Sequence, residues 1–158
     1  MRDNIEVVKD AIELVKPSID RLFRRTFQPQ LHIVVMDPRV KPWEADFEDA
    51  ILYQESIGTP SEWKAPFDQF ARKKAKLAWR NSVSDISFQQ MHPSALDDSD
   101  MLFYGSFVHG NTVVAASGVE PWYDMLVSGW VALAFEQLCI NDYQRLKSQS
   151  PLQDLRKP

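Results

Sequence analysis

Apolar residues at Ile5, Val8, Ile12, Val15, Ile19 and Leu22 recur in steps of three and four, the spacing that lines one face of an amphipathic helix. That spacing predicts a helix from about Asp3 to Arg25. Pro17 falls inside it, where a missing N–H and a ring clash predict a kink or a split, with Ser18 as a fresh N-cap. After Gln28-Pro29-Gln30, the β-branched run Leu31-His32-Ile33-Val34-Val35-Met36 predicts a buried strand stopped by Asp37-Pro38. Arg39 to Phe47 reads as a loop, and a second strand is expected near Asp49 to Gln54.

Gly58-Thr59-Pro60-Ser61 punctuates the chain, with Thr59 or Ser61 placed to cap a helix. That helix carries Trp63, Phe67, Phe70, Ala71, Leu77 and Ala78 on its inner side, and Pro66 confines its regular part to the residues after the proline. Asn81 to Asp100 reads as a polar, irregular linker with one short strand at Ile86-Ser87-Phe88. The apolar runs Phe103–Val108 and Thr112–Ala116 flank His109-Gly110-Asn111 and predict a β-hairpin. A long helix then starts with Pro121 at its first position and continues to about Leu146. Leu126, Trp130, Leu133, Ala134 and Leu138 make it apolar on most sides, so it is expected to pack centrally. This order predicts an α/β (α+β) domain, a mainly antiparallel sheet covered by N-terminal, middle and long C-terminal helices. It spans residues 1–147, with 148–158 a frayed tail.

Composition narrows the possible partners. A net charge of −4 and a pI near 5.3 repel phosphate backbones and anionic lipid, so neither nucleic acid nor a membrane is expected as partner. Met125 to Phe135, the most apolar segment, is shorter than the ~20 residues a bilayer crossing needs. The charged start, Met1-Arg2-Asp3, has no apolar stretch for export. Cys139 is alone, which excludes an intramolecular disulfide and suits a reducing compartment, so a cytoplasmic location is expected. Within an apolar helix that cysteine reads as structural. The basic run Arg72, Lys73, Lys74, Lys76 and Arg80 reads as a solvated helix face.

Phe70-Ala71-Arg72-Lys73-Lys74-Ala75-Lys76-Leu77-Ala78 is one of two segments with a recognisable pattern. The other is Gly105-Ser106-Phe107, then Gly110, then Val114-Ala115-Ala116-Ser117-Gly118 with Asp124. Together they resemble the GlcG/HbpS-like family, the so-called haem-degrading domain, which includes the C-terminal domain of PduO-type proteins. The resemblance covers roughly Leu31 to Leu146. It implies a profilin-like fold, symmetric homo-oligomers and, in some members, binding of haem or a related tetrapyrrole. Pro38-Arg39 stand where the family commonly has glycines, Ser106 replaces the second hairpin glycine, and Val108 replaces a common proline. These departures, with five tryptophans, motivate an alternative: an oligomeric interaction scaffold that keeps the fold without the pocket.

Haem asks for an axial ligand, most simply a histidine beside an apolar slot. His109 sits at the hairpin tip and His92 before Pro93 in the linker; each is weighed as a ligand against plain exposure. His32, within a strand, reads as a hydrogen-bonded sheet histidine. Ser117-Gly118 before a helix start offers N–H groups to a carboxylate or phosphate, although Pro121 removes one donor and Glu120 adds a negative charge. Asp124 matches the helix dipole, Lys74 is placed to meet an acidic ligand or stay solvated, and Tyr104 is placed to line a flat ligand or the core. Asp97-Asp98-Ser99-Asp100 lacks the glycine and glutamate of an EF-hand and reads as a solvated turn. No hydrolase elbow, phosphate loop or zinc spacing is present, so the catalytic residues stay unknown and no metal site is expected. The expected pocket lies between the sheet and the helices that follow Gly58 and Gly118.

Overall fold

Both faces of strand β1 (Gln30–Met36) are buried, and the period of two along it sorts the remaining elements into layers. Leu31, Ile33 and Val35 meet helices α1 (Asn4–Thr26) and α5 (Pro121–Ser148) on one side. Val34 and Met36 meet helix α3 (Phe67–Asn81) on the other. Strand β4 (Thr112–Ser117) divides in the same way, with Val114 and Ala116 toward α1 and α5 and Val113 and Ala115 toward α3. Strands β2 (Ile51–Gly58) and β3 (Ser106–His109) close the edges. The sheet runs β2-β1-β4-β3 and every pairing is antiparallel. The computed structural model describes residues 3–149.

Several expectations need correction. Helix α1 passes through Pro17 without a break, so Ser18 caps nothing. Pro17 lies on the exposed face, while Ile12, Val15, Ile19 and Leu22 hold a continuous face against the core. The cap is Asp3, whose Oδ1 accepts the Ile5 N–H at 3.0 Å. Strand β2 starts later and runs further than expected because its register follows β1 from Gln30↔Gly58 onward, and Asp49 falls in a short helical turn, α2 (Phe47–Ala50). Neither Thr59 nor Ser61 caps a long helix; Pro60–Glu62 is a single 3-10 turn and α3 begins only after Pro66. Ile86-Ser87-Phe88 is helical, within α4 (Asp85–Met91), since so short an apolar run carries no readable period.

The hairpin forms around Gly110-Asn111, with His109 paired to Thr112 and Gly110 at φ +58°, the left-handed value its first turn position requires. Helix α5 starts at Pro121 as expected but does not pack on all sides. Val127, Val131 and Phe135 face the sheet while Leu126 and Leu133 stay exposed. Ser148 still belongs to α5, and the rest of the expected frayed tail, from residue 150, lies outside the described residues. Among the described residues no helix is long and apolar enough to cross a membrane.

Candidate functional site

The face of α3 that meets the sheet consists of Ala71, Lys74, Ala75 and Ala78, at helical steps of three and four. Small residues bring the helix close, and the lysine between them is buried. Lys74 is 1% exposed, so the solvated reading of this residue is wrong. Its ammonium donates to the Ala116 carbonyl at 3.1 Å, to Ser117 Oγ at 3.1 Å and to Asp124 Oδ2 at 3.2 Å. Asp124, 3% exposed, accepts the Val119 N–H at 3.0 Å on Oδ1. It therefore does more than match the dipole of α5, because it pins the β4–α5 junction to α3. Gly118 turns that junction at φ +147°, and a Cβ there would lie 2.3 Å from the Gln30 carbonyl oxygen.

Beside this pair lies a second buried carboxylate, on the short helix α4. Asp85 Oδ2 accepts the Gly105 N–H at 3.0 Å. Its Oδ1 accepts the Ser106 hydroxyl at 2.6 Å, the Ser106 N–H at 3.1 Å and the Ile86 N–H at 3.0 Å. Ser128 on α5 closes the arrangement by donating to the Gly105 carbonyl at 2.6 Å. Gly105 is thus held through both its amide and its carbonyl. The sequence reading missed Asp85 and Ser128. Signals for both existed: an aspartate directly after Ser84 at a helix start, and a serine within the apolar run Leu126-Val127-Ser128-Gly129.

Burial pushes the Asp124 carboxyl above its ordinary range by more than the Lys74 ammonium pulls it down. Asp85 is raised as well, again mainly by burial, against its bonds from Ser106. A carboxyl raised in the fold holds a proton that the unfolded chain has released. The stability these two groups contribute is therefore full below the ordinary value of 3.8 and falls as pH rises through the raised value. Asp85→Asn should remove part of that slope. It should also cost about 1–3 kcal/mol, because the amide NH2 confronts the N–H donors that the carboxylate accepted. Urea unfolding of both proteins at several pH values checks both effects.

Over Lys74 and Asp124 opens a cavity of about 190 Å³, walled by Phe67, Phe70, Met101, Phe103 and Pro121 and edged by Ser117 and Gly118. It lies at the expected junction. Glu120 also lines it, but its carboxylate accepts from the Gln28 amide at 3.2 Å. The structure thus brings Lys74, Ser117, Gly118 and Asp124 together, while His109, His92 and Tyr104 do not line this cavity. His109 is exposed at the end of β3, and His92 is exposed beyond α4 with its ring against Phe88. Tyr104 is half-buried.

A wider cleft of about 690 Å³ lies between the β1–β2 face and the start of α3, lined by His32, Gln54, Ser56, Trp63, Asp68 and Arg72 among others. The side chains of His32, Gln54, Ser56 and Arg72 there already have partners, while the buried Trp63 Nε1 has none among the described residues. His32 bonds Ser56 Oγ at 2.8 Å and Gln54 Oε1 at 3.0 Å, as the sequence reading expected of a sheet histidine, and burial lowers its pKa, favouring the neutral ring. Arg72 pairs with Glu48. A histidine-ligated haem does not fit these residues: His92 and His109 do not line the apolar cavity, and both ring nitrogens of His32 are engaged.

Asp97, Ser99 and Asp100 bond one another in a turn, and Asp100 also takes Arg80 at 3.0 Å. Burial raises the half-buried Cys139 thiol. Among the described residues no cluster of three or more histidine, cysteine or acidic side chains is arranged to hold a metal ion. Comparison with known proteins finds no matching family model, no matching curated protein and no matching solved structure.

Proposed function

We propose that this chain is a small-molecule-binding domain that takes a small organic acid in the cavity above Lys74. The observation carrying this reading is a fully buried ammonium at the floor of an apolar-walled cavity, a costly placement concentrated where ligands bind. Ser117 Oγ accepts from Lys74, so its own proton points elsewhere and is available to a ligand oxygen. A carboxylate there bonds Ser117 and shares the Lys74 charge, while its hydrocarbon part lies against Phe67, Phe70 and Phe103. At 190 Å³ the cavity is smaller than the clefts of ~300–1,000 Å³ that hold drug-sized ligands, which selects small acids over a tetrapyrrole.

Kinship with the GlcG/HbpS-like family is part of the same proposal. A four-stranded antiparallel sheet between helices, with the Lys74 helix against the Ser117-Gly118 junction, supports it and the profilin-like arrangement that goes with it. The acidic balance and the lone cysteine support a cytoplasmic setting without nucleic acid. A second reading, the oligomeric interaction domain, draws support from the exposed face of α5.

Benzoate and butyrate, titrated while amide NMR shifts are followed, test the small-acid reading. The amides of Gly105, Ser117, Gly118 and Val119 should move together and saturate, and Met101→Trp, which fills the cavity while keeping Lys74 and Asp124 themselves unchanged, should abolish the response. No shift with either acid, or an undiminished response in Met101→Trp, would refute the proposal. A haemin Soret shift that disappears when His92 and His109 are replaced would also overturn it, in favour of a tetrapyrrole.

A further inference from the structure

The cleft between the β1–β2 face and the start of α3 shares no lining residue with the cavity above Lys74, and its chemistry is of another kind. Its volume of about 690 Å³ falls within the ~300–1,000 Å³ of small-molecule sites. His32 stands opposite Ser56 in the β1–β2 register, and Gln54 shares the Ser56 side of β2 two residues away. Gln54 Oε1 can only accept, so the His32 Nε2 that it meets carries the ring proton. The neutral ring then accepts the Ser56 hydroxyl proton on Nδ1. The histidine thereby fixes both neighbours while leaving the Gln54 NH2 as a donor and the Ser56 oxygen as an acceptor.

The segment leading into α3 supplies the other wall. Trp63 meets Phe67 edge-on with ring centroids 5.7 Å apart, and its buried Nε1 has no hydrogen-bond partner among the described residues. A buried donor without an acceptor is uncommon in a native fold and calls for a reason. Asp68, in the first turn of α3, has no hydrogen-bond or ion-pair partner among the described residues either. Charge in the cleft is balanced, since Arg72 pairs with Glu48, and Asp68 and Lys64 are of opposite sign.

We propose that this cleft is a second ligand site, which takes a neutral, hydroxyl-rich molecule the size of a monosaccharide. The inference goes beyond the small-acid reading and does not depend on it. An acid would meet Asp68 and an amine would meet Lys64, so balanced charge favours an uncharged ligand. Each sugar hydroxyl both donates and accepts, which matches a wall holding the Gln54 NH2, the Ser56 oxygen and the Asp68 carboxylate. The C–H face of a sugar ring packs on an aromatic plane, and Trp63 offers such a plane together with an N–H. No hydrogen bond holds the indole where it stands, so a rotation on binding brings Nε1 to a ligand hydroxyl.

NMR titration of the isotope-labelled full chain with D-glucose, D-galactose, D-mannose and D-ribose is the test, with the Trp63 indole N–H assigned by its loss in Trp63→Phe. At least one sugar should move that N–H and the Gln54 side-chain NH2 together, saturating at millimolar concentration and leaving the Ser117 and Gly118 amides in place. Asp68→Asn, with unchanged circular dichroism, should raise the dissociation constant ~10-fold, the loss expected of one charge-assisted hydrogen bond. Trp63→Phe, followed through the Gln54 NH2, should weaken binding as well. Benzoate above Lys74 moves Ser117 and Gly118 instead, so the two readings fail separately. The proposal is overturned if no sugar moves the Trp63 and Gln54 signals, or if both variants respond undiminished. Movement of those signals by adenosine monophosphate or benzoate and by no sugar would overturn it too, in favour of a charged ligand.

Discussion

Replacing Lys74 with methionine should cost about 3–5 kcal/mol, and Asp124→Leu a similar amount, because each leaves a buried charge without its counter-ion. Lys74 and Asp124 are almost wholly buried and 3.2 Å apart, so the charge left behind is largely desolvated. The double variant should lose clearly less than the sum. A coupling energy of about 2–3 kcal/mol is expected, since removing both charges also removes the cost of desolvating them. Part of the Asp124→Leu loss remains in the double variant, because Val119 N–H loses its acceptor. Chemical denaturation of the four proteins closes the cycle. Additive losses would mean that the two side chains are held independently.

Gly105→Ala should be the most damaging of the small changes. A Cβ there would stand 2.5 Å from the Ala116 carbonyl oxygen and 2.9 Å from both Asp124 Cβ and Lys74 Nζ. Ala116 belongs to β4, which is paired on both sides, so the backbone cannot yield. The extra methyl group must displace the ammonium and the carboxylate, with an expected cost of about 3 kcal/mol or more. Gly110→Ala is the control. Its Cβ meets nothing within 4 Å, so only the left-handed backbone is penalised, at about 1 kcal/mol. Thermal melts of the two variants should separate them clearly, and equal losses would show that crowding at Gly105 is relieved by movement.

Local signals were the legible ones. The face of α1, the run of β1, the glycine turn of the hairpin and the start of α5 at Pro121 all depend on neighbouring residues, and all are present. Continuity through Pro17 and the length of β2 depend on the elements packed against them, so the local rules failed there. The junction at Ser117-Gly118 was legible as a place, while its chemistry was not. Lys74 looked like one of five basic residues on a wet face. The sign that it was buried lay in its spacing, three after Ala71 and four before Ala78, on the face of α3 that carries its alanines. Asp85 sits in a segment where neither helix nor strand period was visible, and its partners lie about twenty residues away.

Gly105 joins the parts of the molecule more closely than its size suggests. Its amide is held from α4, its carbonyl by α5, and its missing side chain makes room for the ammonium of α3. No one of these three helices can detach without breaking a bond or exposing a charge that the others depend on. Helices α3, α4 and α5 are thereby wired to open as one cooperative unit, with little freedom to detach piece by piece.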